Sequence, residues 1–132
     1  MERVPFGIGE LDGLIEGGIP RGGLIIVAGN AGVSKTILSA QFIYNGASLY
    51  GEKGIYICMN ETGEHFKAGM ASLGWGFSKL EEKGMVKIVE FPTMAKIGVE
   101  DVVSLIVDEA RKFKADRVVV DSVSALYIAL SR

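Results

Sequence analysis

The order of apolar and polar positions predicts short buried strands that alternate with helices. Four apolar runs have the length and β-branched content of strands: 24–28, 55–59, 86–91 and 117–121. Three longer segments place apolar residues at three- and four-residue spacing, as helices do: 35–50, 64–73 and 99–113. Strands that alternate with helices in this way predict an α/β fold, with a mostly parallel sheet and helices on both of its faces.

Smaller elements complete this prediction. A short helix is expected within residues 7–15, followed by a Gly-Gly-Ile-Pro turn at 17–20. Ser78–Glu81 has the form of a capping box, which predicts a brief helix ended by Gly84. The apolar segment from Ser122 onward is predicted to be helical.

Composition and charge describe a globular protein with no general affinity for polyanions. The chain has 132 residues, of which 48% are hydrophobic, enough for one domain with its own core. Its 14 basic and 16 acidic residues give a formal charge of −2, which does not point to nucleic acid or an anionic membrane. No apolar run is long enough to span a bilayer, and the single cysteine, Cys58, favours a reducing cytoplasmic setting.

The segment between the first strand and the next helix resembles a phosphate-binding loop. It consists of Gly29, Asn30, Ala31, Gly32, Val33, Ser34, Lys35 and Thr36. Only Ser34 departs from the usual pattern, which has a second glycine there. Backbone N–H groups of such a loop bind phosphates, Lys35 would reach the outer phosphates, and the Thr36 hydroxyl would hold Mg²⁺. The alternative is a glycine-rich turn followed by a chance Lys-Thr pair.

Two carboxylates follow predicted strands at the edge where ligands bind in α/β proteins. Asp121 comes after three valines, which suits a residue that orders the hydration shell of Mg²⁺. Glu61 follows the second strand and could accept a proton from an attacking water. The structural alternatives are a solvated strand end or helix N-cap for Asp121, and a helix-start carboxylate for Glu61.

Other conspicuous residues have simpler structural interpretations. His65 is the single histidine and is expected on the surface of a helix. Trp75 and Phe77 are expected to form a local hydrophobic plug. Arg117 and the basic residues shortly before it are expected at the solvated end of the third long helix.

Taken together, these motifs make the chain resemble the RecA superfamily, and within it the KaiC-like or RadA-like P-loop ATPases. The specific segments are Phe6–Gly22, Asn60-Glu61, Gly74–Phe77 and Val118–Ser122. The resemblance extends over nearly all of residues 1–132. It implies a RecA-type fold, ATP and Mg²⁺ as ligands, and a ring or filament with ATP between subunits.

Departures from the family pattern limit what the resemblance implies. Ser34 replaces a glycine of the loop, but its side chain is small, so we expect the loop still to bind phosphate. The family usually has two acidic residues where this chain has Asn60 and Glu61, and an asparagine cannot accept the proton. Relatives also continue beyond the segment that ends here at Arg132, so we expect an incomplete domain with weak or impaired turnover.

The same resemblance predicts a gap in the sheet. In the family, the strand that follows the Asp121 strand inserts between that strand and the one before the phosphate loop. Without it, the two strands are expected to pair directly or to leave an open slot. An open slot exposes unpaired backbone groups and invites a second chain. We therefore expect a homo-oligomer.

The sequence leaves more than one class of function open. The first is a Mg²⁺-dependent ATPase that works as a motor or switch, with Glu61 and Lys35 as catalytic residues. The second is a nucleotide-binding regulatory or assembly module without meaningful turnover. A DNA-recombination role rests on family analogy alone.

Overall fold

A computed structural model of the protein describes residues 3–5, 7, 9, 18–20, 24–27, 33–59, 61–90, 99–121 and 125–129. The helices in this part are α1 (Val33–Tyr50), α2 (Gly63–Ser72), α3 (Phe77–Glu82) and α4 (Val99–Phe113). The strands are β1 (Arg3–Val4), β2 (Ile19–Pro20), β3 (Leu24–Val27), β4 (Gly54–Cys58), β5 (Val86–Glu90), β6 (Arg117–Asp121) and β7 (Ala125–Ala129). The predicted alternation of strands and long helices is confirmed, whereas the helix expected within residues 7–15 lies almost wholly outside the described residues.

The main sheet has the strand order β3-β7-β6-β4-β5. Strand β4 pairs in parallel with β5 on one side and with β6 on the other. Strand β7 is antiparallel to both of its neighbours, so β3 runs in the same direction as β4, β5 and β6. Strands β1 and β2 form a separate antiparallel pair. The sequence had predicted a turn at 17–20, the segment that contains β2.

Helices cover both faces of this sheet, as predicted. On one face, Tyr56, Cys58 and Val119 pack with buried residues of α1, α2 and α3. On the opposite face, Ile55 and Ile57 pack with the alternate valines of β6 and with α4. Because neighbouring strand residues point to opposite faces, β4 is buried along its whole length, as is typical of parallel strands.

Local signals determine where the helices begin and end. Gly51 has φ +64° directly after α1, a conformation that suits a glycine helix stop. The Thr62 hydroxyl accepts a hydrogen bond from the His65 amide and caps α2. Helix α3, however, begins at Phe77 after Gly76 and has no side-chain cap, so the capping box expected from Ser78 does not form.

The segment after Ser122 is a strand rather than the predicted helix. Residues 125–129 form β7, which pairs with both β6 and β3. A short apolar run with aromatic and β-branched members cannot be told from a buried helix by periodicity alone. A three-residue connection (122–124) suits a hairpin. Since β7 occupies the position between β3 and β6, the predictions of an open slot and of direct pairing are both wrong.

Arg117 is the other clear correction. The side chain is fully buried rather than solvated. Its Nε and Nη2 atoms donate to Glu52 Oε1 at 3.0 and 2.9 Å, and Nη1 donates to the Phe42 carbonyl at 2.9 Å. The guanidinium also lies 4.8 Å from the centre of the Phe42 ring. A buried arginine needs such partners, and they join β6 to α1.

We predict that Gly46→Ala destabilises the protein. A Cβ at Gly46 would lie 2.6 Å from Arg117 Cδ and 2.7 Å from its Nε, and the hydrogen bonds of Arg117 prevent the guanidinium from moving aside. Overpacking of this kind costs about 1–3 kcal/mol and outweighs the gain in helix propensity. Urea unfolding followed by circular dichroism measures the change in the free energy of unfolding.

Gly69→Ala in α2 is the matched control. A Cβ at Gly69 meets no atom within 4 Å, so only the helix propensity changes. This variant should be more stable by up to about 1 kcal/mol. If the two substitutions shift the free energy of unfolding in the same direction, the proposed crowding against Arg117 is wrong.

Candidate functional site

Parallel pairing brings several carboxylates to one edge of the sheet. In the pairing of β4 with β6, Cys58 lies opposite Asp121, the last residue of β6. The same register places Glu90, the last residue of β5, opposite Cys58 on the other side. Glu61 follows β4 after two further residues. The carboxyl edge of this sheet is therefore acidic, at the place where α/β proteins bind ligands.

The structure brings Thr36 and Asp121 together. Thr36 lies in the first turns of α1, and its hydroxyl donates to Asp121 Oδ2 at 3.4 Å. Asp121 occupies the same face of β6 as Val119, because alternate strand residues share a face. That is the face against which α1 packs. The last residue of the predicted phosphate loop and the strand-end carboxylate thus meet at the carboxyl edge of the sheet.

Tyr56 makes the shorter contact with the same carboxylate. Its hydroxyl donates to Asp121 Oδ2 at 2.6 Å. The Tyr56 side chain is fully buried, and its ring stacks on Phe66 of α2 with 4.1 Å between ring centres. Burial, followed by the negative charge of Asp121, raises the pKa of the Tyr56 phenol far above its usual value. The phenol is therefore a neutral hydrogen-bond donor to Asp121 at neutral pH.

Cys58 is buried beside these carboxylates, as predicted for a small hydrophobic residue. Burial is the main cause that raises the pKa of its thiol to about 12, and the charges of Glu61, Asp121 and Glu90 add to the effect. A thiol in such surroundings is not a nucleophile at neutral pH. Cys58 belongs to the packing beneath the site.

Glu61 contacts the single histidine. Oε2 of Glu61 lies 2.6 Å from Nδ1 of His65, one helical turn further along the chain. The His65 side chain is 79% exposed, so its predicted surface position is confirmed, but its contact with Glu61 was not foreseen. A carboxylate only accepts hydrogen bonds, so Nδ1 carries the proton in this contact.

Of the remaining predicted site residues, some lie outside the described part of the chain and others are described by their backbone alone. Gly29, Asn30, Ala31 and Gly32 fall outside the described residues, as does Asn60. Val33, Ser34 and Lys35 form the first turn of α1, and only their backbone is described. The strand and the helix expected on either side of the loop are present, since β3 ends at Val27 and α1 begins at Val33.

Sequence reasoning missed Tyr56 and Glu90. Tyr56 was treated as one residue of an apolar run, although a buried phenol needs a hydrogen-bond partner and so signals a polar neighbour. Glu90 Oε1 accepts from the Gly63 amide at 2.5 Å and caps α2. The sequence feature that could have identified Glu90 is the one used for Asp121: a carboxylate at the end of an apolar strand.

Thr36 and Asp121 have the donor chemistry that suits Mg²⁺. Hydroxyl and carboxylate oxygens are the ligands this ion prefers, and it keeps several waters and substrate phosphates rather than a full protein cage. The described residues contain no group of three or more His, Cys, Asp or Glu side chains arranged to hold a metal. Within the same residues, no helix has the length and hydropathy needed to cross a bilayer.

Comparison with known proteins identifies the family. A sequence model of the KaiC ATPase family matches residues 4–132. The chain belongs to this KaiC-like family. It is 36% identical to the UPF0273 protein PH0284 of Pyrococcus horikoshii over 96% of its own length and 56% of that protein. It is 29% identical to the circadian clock oscillator protein KaiC of Thermostichus vulcanus over 96% of its length and 26% of that protein.

A solved KaiC-like structure supports the same fold. The KaiC-like protein PH0186 from Pyrococcus horikoshii OT3 superimposes with a TM-score of 0.76 and 37% sequence identity. The match covers 91% of this chain and 53% of the KaiC-like structure. The predicted RecA-like fold is therefore confirmed. The chain spans about half the length of PH0284 and of PH0186.

We predict that Cys58 resists alkylation in the folded protein. A thiol with a pKa of about 12 rather than 9.0 presents about 10³-fold less thiolate at pH 8. Iodoacetamide labelling followed by mass spectrometry should be slow for the native chain and fast in urea. The native rate should keep rising between pH 9 and pH 11. Equal rates with and without urea at pH 8 would show that Cys58 is neither buried nor perturbed.

Proposed function

We propose that this chain binds ATP with Mg²⁺ and forms the nucleotide-binding part of a KaiC-like ATPase. Membership of the family makes nucleotide binding the first expectation. The observation that carries the proposal is the contact between Thr36 and Asp121, which joins residues 85 positions apart. These are the two side chains that the sequence alone assigned to the metal.

Different groups of the loop, of α1 and of β6 would bind the phosphates and Mg²⁺. Backbone N–H groups of residues 29–36 would hold the phosphates at the N-terminus of α1, where the helix dipole favours negative charge. Lys35 would add a positive charge at the outer phosphates. Thr36 and Asp121 would hold Mg²⁺, which when bound neutralises charge that develops on the phosphates.

Glu61 is the proposed general base for hydrolysis. It lies at the carboxyl edge of the sheet, and its side chain is 27% exposed, so water can reach it. A carboxylate there would orient a water molecule and accept its proton as the water attacks the terminal phosphate. Glu61 Oε2 is engaged by His65, and this contact must loosen before Oε2 can accept a proton from water.

A binding module with little turnover is the second candidate. Two features favour it: Asn60 in place of an acidic residue, and the hydrogen bond that occupies Glu61. Both weaken proton acceptance and leave the phosphate-binding residues unchanged.

Assembly and further partners rest on family membership. We propose self-association into a homo-oligomer on that ground alone, because β7 fills the position through which pairing was expected. Binding to nucleic acid rests on family analogy alone, and a cytoplasmic location stays a prediction from the sequence.

We predict that Lys35→Ala weakens nucleotide binding. The substitution removes a charge-assisted contact worth about 1.5–3 kcal/mol, or a rise in Kd of about 10- to 150-fold. Isothermal titration of ADP in the presence of Mg²⁺ measures this change.

Lys79→Ala is the matched control for that experiment. Lys79 is an exposed lysine of α3, and its removal should leave the Kd for ADP unchanged. An unchanged Kd in the Lys35 variant would contradict the assignment of the phosphate loop.

We predict slow or absent ATP hydrolysis by the 132-residue chain. Asn60 cannot accept a proton, and the contact with His65 Nδ1 already occupies Oε2 of Glu61. Steady-state phosphate release should stay close to the rate of the Glu61→Gln variant, and Asn60→Glu should raise it if Glu61 alone is an inadequate base. Rapid turnover by the unmodified chain, abolished in Glu61→Gln, would show that Glu61 suffices.

A further inference from the structure

The carboxylate of Asp121 is held more firmly by Tyr56 than by Thr36. The Tyr56 hydroxyl lies 2.6 Å from Asp121 Oδ2, whereas the Thr36 hydroxyl lies 3.4 Å from the same atom. Short hydrogen bonds to an ionised acceptor are the stronger ones. The orientation of Asp121 therefore depends mainly on Tyr56.

Tyr56 is itself fixed in place. Its side chain is fully buried in the centre of β4, between the parallel neighbours β5 and β6. The ring stacks on Phe66, which in turn packs at 5.1 Å against the ring of Phe77. A buried ring clamped in this way holds its hydroxyl at one position relative to the end of β6.

Both hydrogen bonds end on the same oxygen of Asp121. Among the residues that the structure describes, Oδ1 of Asp121 has no hydrogen-bond partner. Two donors from different elements, Tyr56 of β4 and Thr36 of α1, converge on Oδ2 and restrict the rotation of the carboxylate. Groups that anchor a metal ligand from behind in this manner typically influence metal affinity.

We propose that Tyr56 is a positioning residue for the metal site, because its hydroxyl holds the Asp121 carboxylate in the orientation that Mg²⁺ binding requires. This inference rests on the proposed function. It assigns Tyr56 no contact with nucleotide and no part in proton transfer.

A purely structural role for Tyr56 makes a different prediction. A buried hydroxyl needs an acceptor, and Asp121 could simply provide one. In that case the loss of the hydroxyl would change the stability of the fold and leave metal affinity unchanged. The two roles are separated by measuring metal dependence and stability in the same variants.

The test compares Tyr56→Phe with Tyr44→Phe. Each substitution removes one phenol oxygen and keeps the ring. Tyr44 lies eight residues beyond Thr36 on α1, about 12 Å along the helix, and stacks on Trp75. Binding of ADP to the 132-residue chain is measured by calorimetry over a range of Mg²⁺ concentrations and also in EDTA. Urea unfolding of each variant is recorded in parallel.

For Tyr56→Phe we expect the Mg²⁺ concentration at half-maximal enhancement of ADP binding to rise by about 10- to 100-fold. The affinity for ADP in EDTA should stay at the wild-type value, and Tyr44→Phe should match wild type in both measurements. If Mg²⁺ enhances wild-type binding and Tyr56→Phe responds at the same concentrations, the positioning role is overturned while the proposed function stands. If wild type does not bind ADP, both are overturned.

A measurement on the wild-type chain covers the case in which Tyr56→Phe does not fold. The chain is labelled with ¹³C at the tyrosine ζ position, and its four tyrosine signals are assigned through Phe variants of the other three tyrosines. Addition of Mg²⁺ to the ADP complex should shift the Tyr56 signal, since the carboxylate that accepts the Tyr56 hydrogen bond would then also bind the metal. A Tyr56 signal that stays at the same position overturns the proposal.

Discussion

The hydrogen bonds that converge on Asp121 Oδ2 join three elements of the fold. Tyr56 belongs to β4, Thr36 belongs to α1, and Asp121 is the last residue of β6. Their meeting depends on the register of β4 with β6, which places Cys58 opposite Asp121. A slip by one residue would turn Asp121 toward α4 and away from Thr36. The candidate site therefore exists only because this parallel pairing is in register.

Packing at the opposite edge of the sheet supports that register. Arg117 begins β6 as Asp121 ends it, and the buried guanidinium is held by Glu52 and by the Phe42 carbonyl of α1. Helix α1 thus contacts both ends of β6: the Phe42 carbonyl accepts from Arg117 at the start of the strand, and the Thr36 hydroxyl donates to Asp121 at its end. Because the chain belongs to the KaiC-like family, a nucleotide is the expected ligand of the candidate site.

The sequence predicted much of this arrangement, for identifiable reasons. The order of strands and long helices followed from periodicity, and the assignment of Thr36 and Asp121 to one metal site followed from a loop motif and a strand-end carboxylate. Partners distant in sequence were not predictable: Arg117 looked like a charged helix end, and Tyr56 looked like one more core residue. The strand at 125–129 was mistaken for a helix because its pairing partners, β3 and β6, decide its conformation.

The central claim is that Asp121 serves a metal-dependent nucleotide site. The most direct test is a calorimetric titration of ADP into wild type and Asp121→Asn, each in Mg²⁺ and in EDTA. The substitution keeps the shape of the side chain and an acceptor for Tyr56 but removes the charge. The account predicts that Mg²⁺ strengthens ADP binding to wild type and has little effect on the variant. An equal effect of Mg²⁺ on both proteins, or no ADP binding by wild type, would contradict it.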